Sequence, residues 1–180
     1  MHNKIKQILI WEIIGGFWII IVGSLLHFLY DWSNNLLIIG IFSPVNESVW
    51  EHLKLGYWSL FFFSLVEYSF IKKNIHGYFW GEFLGILSLE GFILIIFYTY
   101  TALIKKHILW IDITSYLIGS IICQIVSFKI IKKQIPKRIN ILGLVLFITF
   151  GLILILFTFF PPHFSIFMDS NTGTYGIYGR

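Results

Sequence analysis

His27 and Asp31 stand one helical turn apart, and Glu47, Glu51 and His52 follow after a short gap. Side chains at that spacing leave a helix on one face, so His27 and Asp31 can reach a common ion or share a proton. Zinc takes histidine nitrogens together with a carboxylate and keeps a position for water. It lowers the pKa of that water to about 7, which makes it a nucleophile. On this reasoning His27, His52, His163 and Asp169 are candidate ligands for zinc or another divalent metal, and Asp31, Glu47, Glu51 and Glu90 are candidate acid–base carboxylates. The carboxylates could also work without metal, if burial and mutual repulsion separate their pKa values into an acid and a base.

Each of these residues has a plainer reading. Glu47, Glu51 and Lys54 share a helix face and can be an ion pair beside a helix start, worth a few tenths of a kcal/mol. His27 with Asp31 can be a hydrogen-bonded pair at a membrane interface. No HExxH, paired-cysteine or nucleophile-elbow pattern is present. The single cysteine, Cys123, excludes an intrachain disulfide.

The elements that must position these groups are set by composition. Of 180 residues, 57% are apolar and only 12% charged, more apolar surface than a soluble fold of this size can hide. About 20 apolar residues span a bilayer as a helix, and backbone inside lipid must pair its own polar groups. The chain therefore reads as an all-α integral membrane bundle in one domain, residues 1–180. Five spans lie near 8–30, 50–71, 79–104, 108–128 and 139–160, with an external tail at 161–180. The run Leu36 to Phe42 is apolar but too short to cross, which predicts an interfacial or re-entrant segment. Ser43 and Pro44 after it read as a helix start.

Basic residues orient the bundle. With the N-terminus cytoplasmic, Lys4, Lys6, Lys72, Lys73, Lys129, Lys132, Lys133, Lys137 and Arg138 fall inside, against Lys54, Lys105, Lys106 and Arg180 outside. The positive-inside bias then places the C-terminus on the extracytoplasmic side of the cell membrane. The net charge of +4 is scattered in short clusters between apolar runs, so it argues for topology rather than nucleic acid.

Within the spans, Gly16, Gly23, Ser24, His27 and Asp31 form a stripe expected to face the bundle. Glu90 falls near the middle of the third span, where an ionised carboxylate costs roughly 2.5–3.5 kcal/mol on insertion scales. It should be protonated, paired or beside a wet cavity. Asp112, Ser115 and Gly119 line one face of the fourth span. Glu12, Glu67 and Glu82 lie nearer the cytoplasmic boundary and read as interfacial or structural. Gly81 and Gly85 read as a close helix contact.

The set His27, Tyr30, Asp31, Trp32 and Ser33, then Pro44 to Ser48 with Trp50, Glu51, His52 and Lys54, then Pro162, His163, Asp169 and Thr172 to Gly176, resembles an uncharacterised family of short bacterial multipass membrane proteins, a domain of unknown function. The resemblance covers nearly the whole chain and implies an architecture and a bacterial setting, with no reaction. A looser resemblance joins it to intramembrane zinc hydrolases of the alkaline ceramidase type, although this chain has fewer spans and lacks their paired histidines in a late helix. That resemblance names a reaction class only.

The expectation is a polar cavity open to the extracytoplasmic leaflet, lined by His27, Asp31, Glu47, Glu51, His52 and Glu90 and roofed by the tail with His163 and Asp169. Such a cavity suits metal- or carboxylate-assisted hydrolysis or transfer on a lipid or lipid-linked substrate entering from the bilayer. The alternatives are ion- or proton-coupled transport through Glu90, Asp112 and His27, and a noncatalytic membrane assembly subunit.

Overall fold

In the computed structural model, residues 2–71 and 75–179 are described. Lys72, Lys73 and Arg180, which entered the charge balance, lie outside the described residues, as does the side chain of Lys4. The chain forms five helices: α1 (His2–Trp32), α2 (Val49–Ile71), α3 (Tyr78–Ile104), α4 (Leu109–Ile131) and α5 (Lys137–Phe159). Short 3-10 turns occupy Ile39–Ile41 and Ser165–Phe167. No β-strand occurs among the described residues.

Four helices are long and apolar enough to cross a membrane: α1 over Ile5–Trp32, α3, α4 and α5. The second expected span does not qualify with them, because α2 carries Glu51, His52, Lys54 and Glu67. The packing explains the difference. The stretch Leu53 to Leu60 of α2 is buried without a break, with α1, α3 and α5 packed against the helix. A helix wrapped by protein can carry polar groups that a lipid-facing one cannot. Helices α1, α4 and α5 expose large apolar side chains, such as Ile13, Phe17 and Ile21, Trp110 and Ile121, and Val145 and Leu152, and beyond its buried first half α2 does the same with Leu65, Val66 and Phe70.

Glycines set the closest helix contacts. A Cβ on Gly143 of α5 would stand 2.6 Å from the backbone of Trp80 in α3. One on Gly85 would stand 3.1 Å from the Cys123 carbonyl and sulfur in α4. The expected Gly81 and Gly85 contact is thus the α3–α4 seam, where Gly81 meets Ile131 and the Ser127 carbonyl.

The segment between α1 and α2 does not enter the bundle as a helix. Leu36, Leu37 and Ile38 are exposed, and the chain then folds through the Ile39–Ile41 turn with Gly40 buried. Helix α2 begins later than Ser43 and Pro44 suggested. Ser43 instead receives the Tyr30 N–H at 3.1 Å and donates to the Leu26 carbonyl, closing the loop onto α1. The helix start falls to Ser48, whose hydroxyl accepts the Glu51 N–H at 3.3 Å, while the Asn46 side chain accepts the Ser48 N–H at 3.0 Å. Ser48-x-x-Glu51 has the capping-box spacing.

The tail returns over this loop. Phe167 packs against Trp50 with the rings tilted and their centroids 4.8 Å apart, the Ile177 N–H bonds the Thr158 carbonyl, and the Asn46 amide donates to the Gly176 carbonyl. Gly176 holds φ +60, and a Cβ there would stand 2.7 Å from the Thr158 carbonyl.

Candidate metal centre

Near the end of α1, where the loop leads into α2, three expected site residues converge. His27 comes from α1, Glu47 from the loop and His52 from the first turns of α2. One ligand atom from each lies within 4.8 Å of the others. His27 Nε2 stands 3.2 Å from His52 Nε2, and His52 Nε2 stands 3.5 Å from Glu47 Oε2.

Local structure orients His52. Its Nδ1 donates to the Ser48 carbonyl at 2.8 Å, one turn back along the helix. With that nitrogen protonated, the Nε2 lone pair of the neutral ring points toward His27 and Glu47. A backbone carbonyl on the far nitrogen is the usual outer partner of a metal-ligating histidine. Two ligand atoms about 2.0–2.1 Å from a tetrahedral zinc lie about 3.3 Å apart, so separations of 3.2 and 3.5 Å match that geometry. His27 and His52 are partly buried and Glu47 is exposed, which leaves an open side. Asp31, also exposed, is close enough to act electrostatically on His27.

The other expected site residues lie elsewhere. Glu51 is buried and fully engaged. Its carboxylate pairs with Lys54 Nζ at 2.6 Å, accepts the Val45 N–H at 3.1 Å and accepts the Thr158 hydroxyl at 2.8 Å. Lys54, 0% exposed, also donates to the carbonyls of Gly40 (2.6 Å) and Ser43 (3.0 Å). The plain ion-pair reading of these two residues describes the contact but understates it, because the pair pins the loop that presents Glu47.

Glu90 sits in the core beside Gly56, and neither of its carboxyl oxygens has a hydrogen-bond partner among the described residues. His163 packs against Tyr175 with centroids 4.6 Å apart. Asp169 closes the tail turn by accepting the Asn171 N–H and the Thr172 hydroxyl, each at 2.8 Å. Ser170 of the same turn reaches the Glu47 carbonyl at 3.3 Å, so the tail braces the site from behind. Asp112 binds the Tyr100 hydroxyl at 2.8 Å and His107 at 2.5 Å, clasping the α3–α4 hairpin. In the α1 stripe, Gly23 is buried while Ser24 and Asp31 are exposed.

The sequence reading set aside the residues that form a second polar centre. Glu12, Glu67 and Glu82 are each 1–2% exposed and lie at the opposite end of the bundle, where Glu12 and Glu82 meet Ser127 of α4 and Glu67 meets Tyr78 of α3. Their positions on three different helices hid this. The one available signal was that each interrupts an apolar run.

The chain matches, over residues 1–177, the model of a family described as "Family of unknown function (DUF6512)", and it belongs to that family. Comparison with curated proteins and with solved structures gave no match.

Proposed function

We propose, for this member of a family without an assigned function, a multipass membrane protein that binds a divalent transition metal, zinc foremost, through His27, His52 and Glu47. The observation that carries this reading is the His52 ring. Its Nδ1 is spent on the Ser48 carbonyl, and its Nε2 faces a second imidazole nitrogen at 3.2 Å and a carboxylate oxygen at 3.5 Å. Imidazole nitrogen with carboxylate oxygen suits zinc better than calcium or magnesium, which prefer oxygen alone. All five helices cross the bilayer in this reading, with the first half of α2 buried among the others, the N-terminus cytoplasmic and the metal centre toward the extracytoplasmic leaflet.

The reaction class is hydrolysis or group transfer on a lipid or lipid-linked substrate. The site opens beside the exposed apolar residues Phe28, Trp32 and Leu36 to Ile38, which lie at the depth of a lipid headgroup in this topology. A bound ion would supply Lewis acidity and an activated water. The remaining work falls to side chains. Asp31, one turn beyond His27, takes up and returns a proton at its carboxylate. Glu51 and Lys54 hold residues 40–45 in place so that Glu47 meets the histidines. Glu51 is thus a positioning residue, and Glu90 lies in the core apart from the reacting groups.

The test is the metal content of detergent-purified protein by elemental mass spectrometry. Near-stoichiometric zinc in the wild type, lost in His27→Ala and His52→Ala and retained in His163→Ala, is the expected result. Full metal retention in His52→Ala would overturn the assignment.

A further inference from the structure

At the end of the bundle opposite the histidines, three helices bring carboxyl groups together and a fourth adds polar partners. Glu12 comes from α1, Glu67 from α2 and Glu82 from α3, and α4 adds Ser127 and Gln124. Among the described residues no lysine, arginine or histidine pairs with any of the three. The titratable groups that face them are Tyr78 from α3 and Cys123 from α4. No titratable group of α5 does so among the described residues.

The polar contacts do not close with three carboxylates. Ser127 Oγ stands 2.9 Å from Glu12 Oε1 and 2.8 Å from Glu82 Oε1, both hydrogen-bond distances. A hydroxyl has one proton and an ionised carboxylate has none to give, so one of the two carboxyls must be the donor. The Tyr78 hydroxyl, with one proton to give, stands 3.1 Å from both the Ser64 carbonyl and Glu67 Oε2. Two further oxygens, Glu67 Oε1 and Glu82 Oε2, are buried with no hydrogen-bond partner among the described residues. Bare carboxylate oxygens buried away from water are costly, and a proton is the ligand that removes the cost.

A cleft of about 310 Å³ between α1 and α4 lies against the centre. Its surface is apolar, with Leu9, Gly16, Ile20, Ile121 and Phe128 among its lining residues, and Glu12 and Gln124 form part of its wall. With its nitrogen turned toward the acceptors, the Gln124 amide donates to Glu12 Oε2 at 2.5 Å and to the Glu12 carbonyl at 2.9 Å. The residues beside the cleft, Ile13, Phe17 and Ile125, belong to the exposed apolar faces of the two helices. The route to Glu12 therefore runs through hydrocarbon.

We propose that Glu12, Glu67 and Glu82 form a proton-binding site, with Ser127 bonded to both Glu12 and Glu82 and Tyr78 to Glu67, reached from the lipid through the α1–α4 cleft. The protons are exchangeable, and Glu12 is the member that meets the cleft. This site is separate from the metal centre and stands or falls apart from it.

A hydrophobic carbodiimide tests this directly, because a protonated carboxyl adds its O–H across a C=N bond of the reagent, and the O-acylisourea so formed rearranges by acyl transfer from oxygen to nitrogen into a stable N-acylurea, a mass tag that retains the whole reagent. The full-length protein in native-lipid vesicles is treated with dicyclohexylcarbodiimide at a series of pH values, and the tag is located by peptide mass spectrometry. The tag is expected on Glu12 at neutral pH, falling at least tenfold as the medium is made alkaline, and absent with a water-soluble carbodiimide. Gly16→Leu, which fills the cleft where a Cβ meets Gln124 at an ordinary 3.7 Å, should slow tagging several-fold. No tag on Glu12, a tag indifferent to pH, or equal tagging by the water-soluble reagent would overturn the proposal. Infrared spectra provide a second reading without any reagent. The wild type should show a protonated carboxylic C=O band at neutral pH that weakens in Glu82→Gln, and absence of the band overturns the proposal. Zinc content unchanged in Glu12→Gln would keep this outcome distinct from that of the metal centre.

Discussion

At the residue scale, the same chemical type takes opposite roles according to its partners. Glu47 and Glu51 are four residues apart, yet Glu47, in the loop, is exposed beside two imidazoles and Glu51, in α2, is buried against an ammonium group. Lys54→Met should therefore cost about 3–5 kcal/mol, because it strands the Glu51 carboxylate without a counter-charge. The double variant Glu51→Gln with Lys54→Met should recover part of that loss, as read by thermal unfolding in detergent. Ser48→Ala removes the hydroxyl that accepts the Glu51 N–H and should cost about 1 kcal/mol. The same variant should keep its metal, because His52 is held by the Ser48 backbone carbonyl rather than by its side chain. Acidification should release the metal as the imidazoles take up protons, since only neutral rings ligate. A metal content insensitive to acid would speak against histidine ligation.

At the element scale, glycines separate helix contacts that tolerate change from those that do not. Gly91 of α3 has open space around a built Cβ, so Gly91→Ala should stabilise the helix by about 0.8–1 kcal/mol. Gly143→Ala must push α5 away from the Trp80 backbone and should cost about 1–3 kcal/mol. Thermal midpoints of the two variants in the same detergent should move in opposite directions. The existence of the helices was legible from apolar runs bounded by Pro136, Pro161 and the charged loops. The start of α2 was not. Ser43-Pro44 and Ser48-x-x-Glu51 are both acceptable openings, and the choice depended on Ser43 being drawn to the α1 carbonyl of Leu26 instead.

At the scale of the whole molecule, α2 is a polar-bearing helix whose first half is buried among more apolar ones, with an imidazole–carboxylate centre toward one end and a carboxyl centre toward the other. In the proposed topology the first faces outward and the second inward. Single cysteines placed at Asn3 and Asn171 in a Cys123→Ser background should report this. A membrane-impermeant thiol reagent added to intact cells should label position 171 and spare position 3, and the reverse pattern would invert the assignment of both centres.

The sequence by itself determined that this chain is helical and that its surface is apolar, because hydrophobic run length and backbone self-pairing need no knowledge of neighbours. It also named His27, Glu47 and His52 as chemistry-bearing residues, since spacing along one helix and the adjoining loop is a local property. Only the tertiary structure decided which polar residues share a site. Spans of similar composition can be arranged in many orders around one another, and the order here joins Glu12, Glu67 and Glu82 across three helices while leaving His163 and Asp169 in the tail. Burial also decided which carboxylates are satisfied. Glu51 meets Lys54 and Thr158, whereas neither oxygen of Glu90 has a hydrogen-bond partner among the described residues.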